Sequence, residues 1–435
     1  MSNVNATAPD NATILRMIQA SKAASADGRS SEADQLLARV AQLAPSHPAV
    51  LNELGLRMMQ RGEAAKAREL FRRATEADPG HPSLWSNLAE SLHALNLPQE
   101  ELEAIERALA LEPRHLSSLL QKGTLVEERG DPRNAARIYR NALATVPPGV
   151  TPPAAVSAAL EHARQATSKD DAALATAIEE RLGPIRERHG GAGQRRVERC
   201  IELLTGKRSA FTPQPTFMYF PEIPAIEFFE RAEFPWLDAI EAATDDIRAE
   251  LMTVLVSDRA GLEPYVAYPE GTPLNQWKEL NKSRRWSAYF LWNQSVAQPA
   301  HLARCPRTAQ ALKEAPQCDV AARAPTSYFS ILDAGTRIPP HTGITNTRLI
   351  VHLPLIVPPG CGFRVGSETR EWIPGKAWVF DDTIEHEAWN QSDAPRGILI
   401  FDIWNPFLTE AERDLMRAAT EVVGTYYGAT TQDPA

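Results

Sequence analysis

Cysteine is scarce in this chain: 4 among 435 residues, none in a CxxC or other metal-ligand spacing, so neither a zinc framework nor a disulfide-stapled scaffold is indicated. Cys200, Cys305, Cys318 and Cys361 read as free thiols of a reducing compartment, with a Cys305–Cys318 pairing in a loop-rich segment as the alternative. No run of about 18 apolar residues is present to cross a bilayer. The first thirty residues lack the charged-then-apolar pattern of a secretory leader, and a soluble, cytoplasmic protein is expected. Positive charge is not in excess either. With 46 Lys and Arg against 55 Asp and Glu, the net charge of −9 gives no electrostatic footprint for nucleic acid. The cluster Arg195, Arg196, Arg199 is short, diluted by Glu198, and reads as a solvated helix start. What is there has the texture of a globular protein, 43% hydrophobic and 23% charged, with 34 prolines marking many loop boundaries and a length that suggests two or three domains.

The N-terminal part repeats itself every 34 residues, in frames 13–46, 47–80, 81–114 and 115–148. A small residue recurs as Ser21, Gly55, Ala89 and Gly123, where two helices must approach closely. A second small position recurs as Ala33, Ala67 and Ala135, broken by Glu101, and a large residue follows as Leu37, Phe71, Ile105 and Tyr139. Each unit ends in a proline that cannot continue a helix: Pro45, Pro79, Pro113 and Pro147. His47, His81 and His115 share the same spacing, which places them at inter-repeat turns, too far apart to act together as ligands. The pattern resembles the tetratricopeptide repeat, and the resemblance implies an α-solenoid over 13–148 whose concave groove holds peptide or protein segments. Helical spacing then continues over 153–165 and 170–182, and residues 149–188 are expected to cap the solenoid and lead out of it. Gly190, Gly191 and Gly193 read as a hinge; they follow no strand and lack the GxGxxG spacing of a phosphate site.

Beyond Phe211 the texture becomes aromatic- and proline-rich, with a helical stretch over 236–254 and then alternating apolar residues. Strands are expected at 287–292, 327–332, 347–356, 362–365, 377–381, 386–390 and 397–404. Many short strands separated by turns argue for a sandwich or barrel. Three histidines stand out here: His341, His352 and His386. Imidazoles from separate strands are a common way to hold iron with positions left open, although a strand histidine is also commonly a hydrogen-bonded core residue. A hairpin centred on Gln391 would set Arg396 across from His386 on the same face. A guanidinium buried there without a carboxylate would demand an anionic ligand, and a five-carbon keto-diacid would suit it, chelating metal at one end and meeting the arginine fork at the other. Asp402 is the rival partner: an Arg396–Asp402 pair would remove the anion argument.

The segments PHTG (340–343), FDD…EHE (380–387) and DIWNP (402–406) resemble the aspartyl/asparaginyl β-hydroxylase family, with looser similarity from Tyr219 over about 190 residues. The resemblance implies a double-stranded β-helix, jelly-roll or cupin-like, with flanking helices over 195–425. It also implies an Fe(II)- and 2-oxoglutarate-dependent dioxygenase that uses O2 to hydroxylate an Asp or Asn side chain of a peptide or protein, with the repeat groove as the place that would present it. His341 and His386 would bind Fe(II) and form the catalytic centre. Ser330, His352 and Arg396 would hold 2-oxoglutarate, with Arg348 as a further contact. Related oxygenases carry a carboxylate two residues after the first histidine; this chain has Gly343, in keeping with the family resembled, which lacks that carboxylate. Asp381 and Asp382 are expected to cap a strand end, or else to support the metal site from behind. One departure concerns substrate: the family often reads Arg-Leu-Arg before the second histidine, whereas this chain has Arg348, Leu349 and Ile350. A small molecule or lipid headgroup is therefore an alternative substrate, and a degenerate barrel serving a protein-binding module is an alternative function.

Overall fold

The computed structural model describes residues 10–147, 152, 154–189 and 194–427, in two compact units, Met1–Gly206 and Lys207–Ala435. The glycines expected to form a hinge lie outside the described residues.

The first unit is a solenoid of helix pairs. Its first eight helices are α1 Asn11–Ala26, α2 Ser30–Leu43, α3 Pro48–Gln60, α4 Ala64–Ala77, α5 Pro82–Ala94, α6 Pro98–Leu111, α7 Leu116–Glu128 and α8 Pro132–Leu143. The sequence period has a plain steric cause. A Cβ built on Gly55 would lie 2.4 Å from the Phe71 ring, and one on Gly123 would lie 2.3 Å from Tyr139. The glycine of each of these two first helices is thus the floor on which the large residue of the second one rests. Glu101, where that series breaks, is buried and faces His93 at 3.3 Å. His47, His81 and His115 are the N-cap residues of α3, α5 and α7. The two helical stretches expected after the repeats are one helix, α9 Ala154–Arg188. No glycine or proline interrupts its first 29 residues, and Arg140 of α8 holds its middle through Asp170 and Asp171.

The second unit is built on two antiparallel sheets. Its strands are β1 Glu263–Pro264, β2 Trp286–Asn293, β3 Val296–Ala297, β4 Ser327–Leu332, β5 Thr336–His341, β6 Arg348–Ile356, β7 Cys361–Val365, β8 Glu368–Arg370, β9 Trp378–Phe380, β10 His386–Asn390 and β11 Arg396–Trp404. The larger sheet runs β1-β2-β4-β11-β6-β9 with β3 beside β2, and the smaller runs β5-β10-β7-β8. All seven expected strands are present. Strand β5 was not anticipated because Pro339 and Pro340 argue against a ladder; it lies at the edge of its sheet, where missing N–H groups cost nothing. An irregularity in the β5–β10 register falls opposite the two prolines.

All nine residues of β11 are buried, and their alternation separates two interiors. Leu399, Phe401 and Ile403 join a core with Leu237, Ile247 and Leu251 from helices on the outside of the large sheet. Ile398 and Ile400 instead join a core that includes Cys361, Phe363 and Ala388 of the small sheet. The space between the sheets is therefore the unit's second interior, and the site lies there. The three buried cysteines Cys305, Cys318 and Cys361, like exposed Cys200, are free thiols.

Gly123→Val is expected to lower the melting temperature of the full chain, with a cost of roughly 1–3 kcal/mol from overpacking against Tyr139. The exposed Ala110→Val should change it little; thermal unfolding followed by far-ultraviolet circular dichroism compares the two.

Candidate active site

A cavity of about 590 Å³ lies between the sheets, lined by Ser330, His341, Arg348, His352, His386 and Arg396 together with aromatic side chains. Every residue singled out in the sequence as a candidate ligand or contact thus faces one space, which is of a size typical for small-molecule sites.

His341 ends β5 and His386 begins β10, and the two are register partners with ring centroids 4.1 Å apart. Each ring nitrogen Nδ1 meets a main-chain carbonyl two residues earlier, Pro339 at 2.8 Å for His341 and Ile384 at 3.1 Å for His386. A carbonyl can only accept, so Nδ1 carries the hydrogen and Nε2 keeps its lone pair. Burial lowers the His341 pKa to about 4. Burial, followed by the neighbouring His341, holds His386 well below its ordinary value. Both imidazoles are neutral near pH 7, the form a metal requires.

Arg396 is among the largest fully buried side chains of the chain, 1% exposed. It donates to Ser330 Oγ at 3.0 Å and lies 4.9 Å from the Trp372 ring, while Trp286 Nε1 also donates to Ser330 Oγ, at 3.1 Å. No carboxylate pairs with Arg396 among the described residues, and its Nε has no hydrogen-bond partner there. Burial lowers its pKa to about 10, still leaving it a cation. His352, packed against Phe363 and Phe380, also has an unpartnered Nδ1; burial and then the charge of Arg396 keep it neutral.

Two expectations about Arg396 need correction. It does not sit across a hairpin from His386: β10 and β11 belong to different sheets, and Arg396 is paired with Leu332 of β4. The segment between them crosses from one sheet to the other, tied down by Asn390, whose side-chain amide donates to the carbonyls of Leu332, Asp333 and Ala394. The rival Asp402 pairing does not form either. Six residues of extended strand separate the two by about 20 Å, and Asp402 instead accepts from Arg348 Nη1 at 2.8 Å. Burial raises the Asp402 pKa to about 6 against the pull of Arg348. At Arg348 burial opposes the charge, yet Asp402 and then Asp382 outweigh it, and the net shift is upward.

The adjacent aspartates have different roles. Asp381 Oδ1 accepts from Thr383 N and Oγ1 at 2.9 and 2.6 Å and shapes the turn. Asp382 lines the cavity with Oδ1 unpartnered, and burial raises its pKa to about 7. A Cβ at Gly343 would fall 2.2 Å from Asp382 Oδ2. The carboxyl group of Asp382 therefore occupies the space that a side chain at 343 would fill, which is why only glycine fits there. Trp286, Trp372 and the wall aromatics Tyr265 and Trp277 were not singled out in the sequence; the tryptophans flanking the Pro374-Gly375 turn were the available signal for Trp372.

Two outcomes follow from these charges. Arg396→Met should leave the melting temperature unchanged or raise it, because the buried cation is uncompensated. Added small dicarboxylates should stabilise the wild-type chain and not the variant in the same melts. Asp382 titrates near 7 when folded and near 3.8 when unfolded, so the folded state holds a proton that the unfolded state has lost between those values. Its contribution to stability is therefore present below about pH 4 and declines as pH rises towards 7. Asp382→Asn removes that decline, and its stability relative to wild type should increase from pH 5 to pH 8 in denaturant titrations.

Residues 241–406 match the family described as aspartyl/asparaginyl beta-hydroxylase, and residues 24–92 match the tetratricopeptide repeat. The chain is 37% identical over 145 residues to human aspartyl/asparaginyl beta-hydroxylase, covering 33% of this chain and 19% of that protein. It is 28% identical over 239 residues to human aspartate beta-hydroxylase domain-containing protein 2, covering 53% and 62%. With the ornithine lipid ester-linked acyl 2-hydroxylase of Rhizobium tropici it shares 33% identity over 186 residues, covering 42% and 62%. The chain thus covers less than two thirds of each of these relatives. The family match over 241–406 falls on the unit that holds the cavity, and the resemblances seen in the 34-residue period and in the PHTG and DIWNP segments are matched: a tetratricopeptide-like solenoid precedes a unit similar to the aspartyl/asparaginyl β-hydroxylases.

Proposed function

We propose that the second unit is an Fe(II)- and 2-oxoglutarate-dependent dioxygenase that hydroxylates an unactivated C–H bond, built as a double-stranded β-helix. One observation carries this reading: a buried guanidinium with no carboxylate partner among the described residues lines the same cavity as two neutral imidazoles whose ring centroids are 4.1 Å apart. Two antiparallel sheets with a shared interior support the jelly-roll architecture.

The residues present fit the groups this activity needs. His341 and His386 would hold Fe(II) through Nε2, each ring fixed by its Nδ1–H bond to a carbonyl. Arg396, Ser330 and the orphaned Nδ1 of His352 would hold 2-oxoglutarate, the arginine fork meeting its far carboxylate. When bound, iron and the keto-acid would couple oxidative loss of CO2 to insertion of one oxygen atom of O2 into the substrate, the other atom entering succinate. The chain's own part is orientation and the exclusion of water: Phe363, Phe380 and Trp372 close the space around His352 and Arg396. Arg348, already engaged by Asp402, serves in this reading as a wall of the cavity.

For the substrate, the resemblance offers an Asp or Asn side chain of a peptide held by the repeats. A small molecule or lipid is the second reading, favoured by Ile350 in the cavity wall and in keeping with the acyl hydroxylase among the relatives. A protein-binding module with an inactive second unit is the rival from another class, and metal uptake separates the two. His341→Ala and His386→Ala should each weaken Fe(II) binding by more than about 100-fold, since disturbing groups behind a ligand alone costs 10–100-fold, and should abolish succinate formation from 2-oxoglutarate. Wild-type protein that takes up no Fe(II) in equilibrium dialysis would sink the oxygenase reading.

A further inference from the structure

The cavity continues past the groups assigned to iron and 2-oxoglutarate, and its remaining wall decides what can react there. Strand β6 turns Arg348, Ile350 and His352 towards it, and β11 contributes Ile400 and Asp402. Arg348 is the one guanidinium on this stretch of β6, and Asp402 Oδ2 already holds its Nη1 at 2.8 Å with both groups buried. Asp382 faces the same space. Around Arg348, then, stand two acidic side chains against one basic one. A substrate carboxylate set against Arg348 would be a third, costly to desolvate beside a cation already paired; the other Lys and Arg side chains of the lining besides Arg396 are Lys282, which is exposed, and Arg323, which is half-buried. Ile344, Ile350 and Ile400 complete the wall with Tyr265, Trp277 and Phe290, a surface that gains from covering apolar atoms.

Resting on the oxygenase reading above, we infer that the reacting part of the substrate is an uncharged hydrocarbon segment, selected by Ile350 together with the Arg348–Asp402 pair, and not an acidic side chain. Such a segment has two sources, the acyl chain of a small amphiphile and an aliphatic side chain of a peptide. The reaction balances as R–H + O2 + 2-oxoglutarate giving R–OH + succinate + CO2: a C–H bond breaks, a C–O bond forms, and the keto-acid supplies two electrons as it loses CO2.

The test begins with binding, without turnover. Full-length protein saturated with 2-oxoglutarate and free of iron is titrated with N-decanoylglycinamide, with a leucine-containing neutral peptide and with its aspartate counterpart, following the fluorescence of the cavity tryptophans. At least one neutral aliphatic probe should bind ten-fold or more tightly than the aspartate peptide; which one does so identifies the source. Ile350→Arg should weaken that probe ten-fold or more and improve the aspartate peptide. In the iron-loaded enzyme the preferred probe should raise succinate release and gain one oxygen atom on its aliphatic carbons, seen by mass spectrometry. Preference for the aspartate peptide, or an Ile350→Arg variant that binds the aliphatic probes as wild type does, would overturn the inference. Loss of all succinate release, including the slow release without substrate, would count against the oxygenase reading alone, because the binding comparison does not depend on turnover.

Discussion

A cation placed where water cannot reach it sets the terms for the second unit. Arg396 is enclosed by Trp372, Ser330 and the inner face of the large sheet, and one hydroxyl does not offset the loss of hydration of a guanidinium. Such a group is costly to a fold unless an anion or water completes it. The surroundings agree with that role. Ser330 is oriented by Trp286, and His352, next to the arginine on the cavity wall, is kept neutral instead of competing for an anion.

The same strand that carries Arg396 carries Asp402 on the same face six residues on, and the two ends behave in opposite ways. At one end charge is left open; at the other it is closed by Arg348. A binding site needs the first condition and a selective wall needs the second. The alternation of β11 supplies both from one extended segment, because residues at even spacing share a face. The outward residues Leu399, Phe401 and Ile403 meanwhile anchor the strand on the helices behind it, so the geometry of the inward ones rests on a packed support.

Much of this was legible in the sequence. The solenoid was, because the small-to-large contact that sets its period involves residues as unlike as Gly123 and Tyr139. Seven strands were, because short apolar or alternating runs stand between turn residues such as Gly335, Gly360 and Gly375. What could not be read was assignment to sheets. Nothing local distinguishes a hairpin at Gln391 from a crossing, and the difference is made by Asn390, whose amide bonds span from β4 to Ala394. The partner of Asp402 was hidden for the same reason, since it depends on which strands are neighbours. The continuity of α9 was missed because a polar interval was taken for a break, although Arg140 supplies the compensating contacts. Gly343 stands where related oxygenases carry a carboxylate, and its meaning lies in a residue 39 positions away, Asp382, whose carboxyl group fills that space.

Strand β5 ends at His341 on an open border of the small sheet, and its two prolines present no N–H to an approaching chain. An exposed border beside a hydrophobic interior invites another molecule to add a strand there, and such additions seed aggregates. Pro339 and Pro340 make that docking unproductive at the residues next to the imidazole. Their fixed φ angles also spare the end of the border strand some of the freedom that frays such edges. Protection from self-association and a stiff seat for His341 thus come from the same two rings, and a more regular strand at this border would forfeit both.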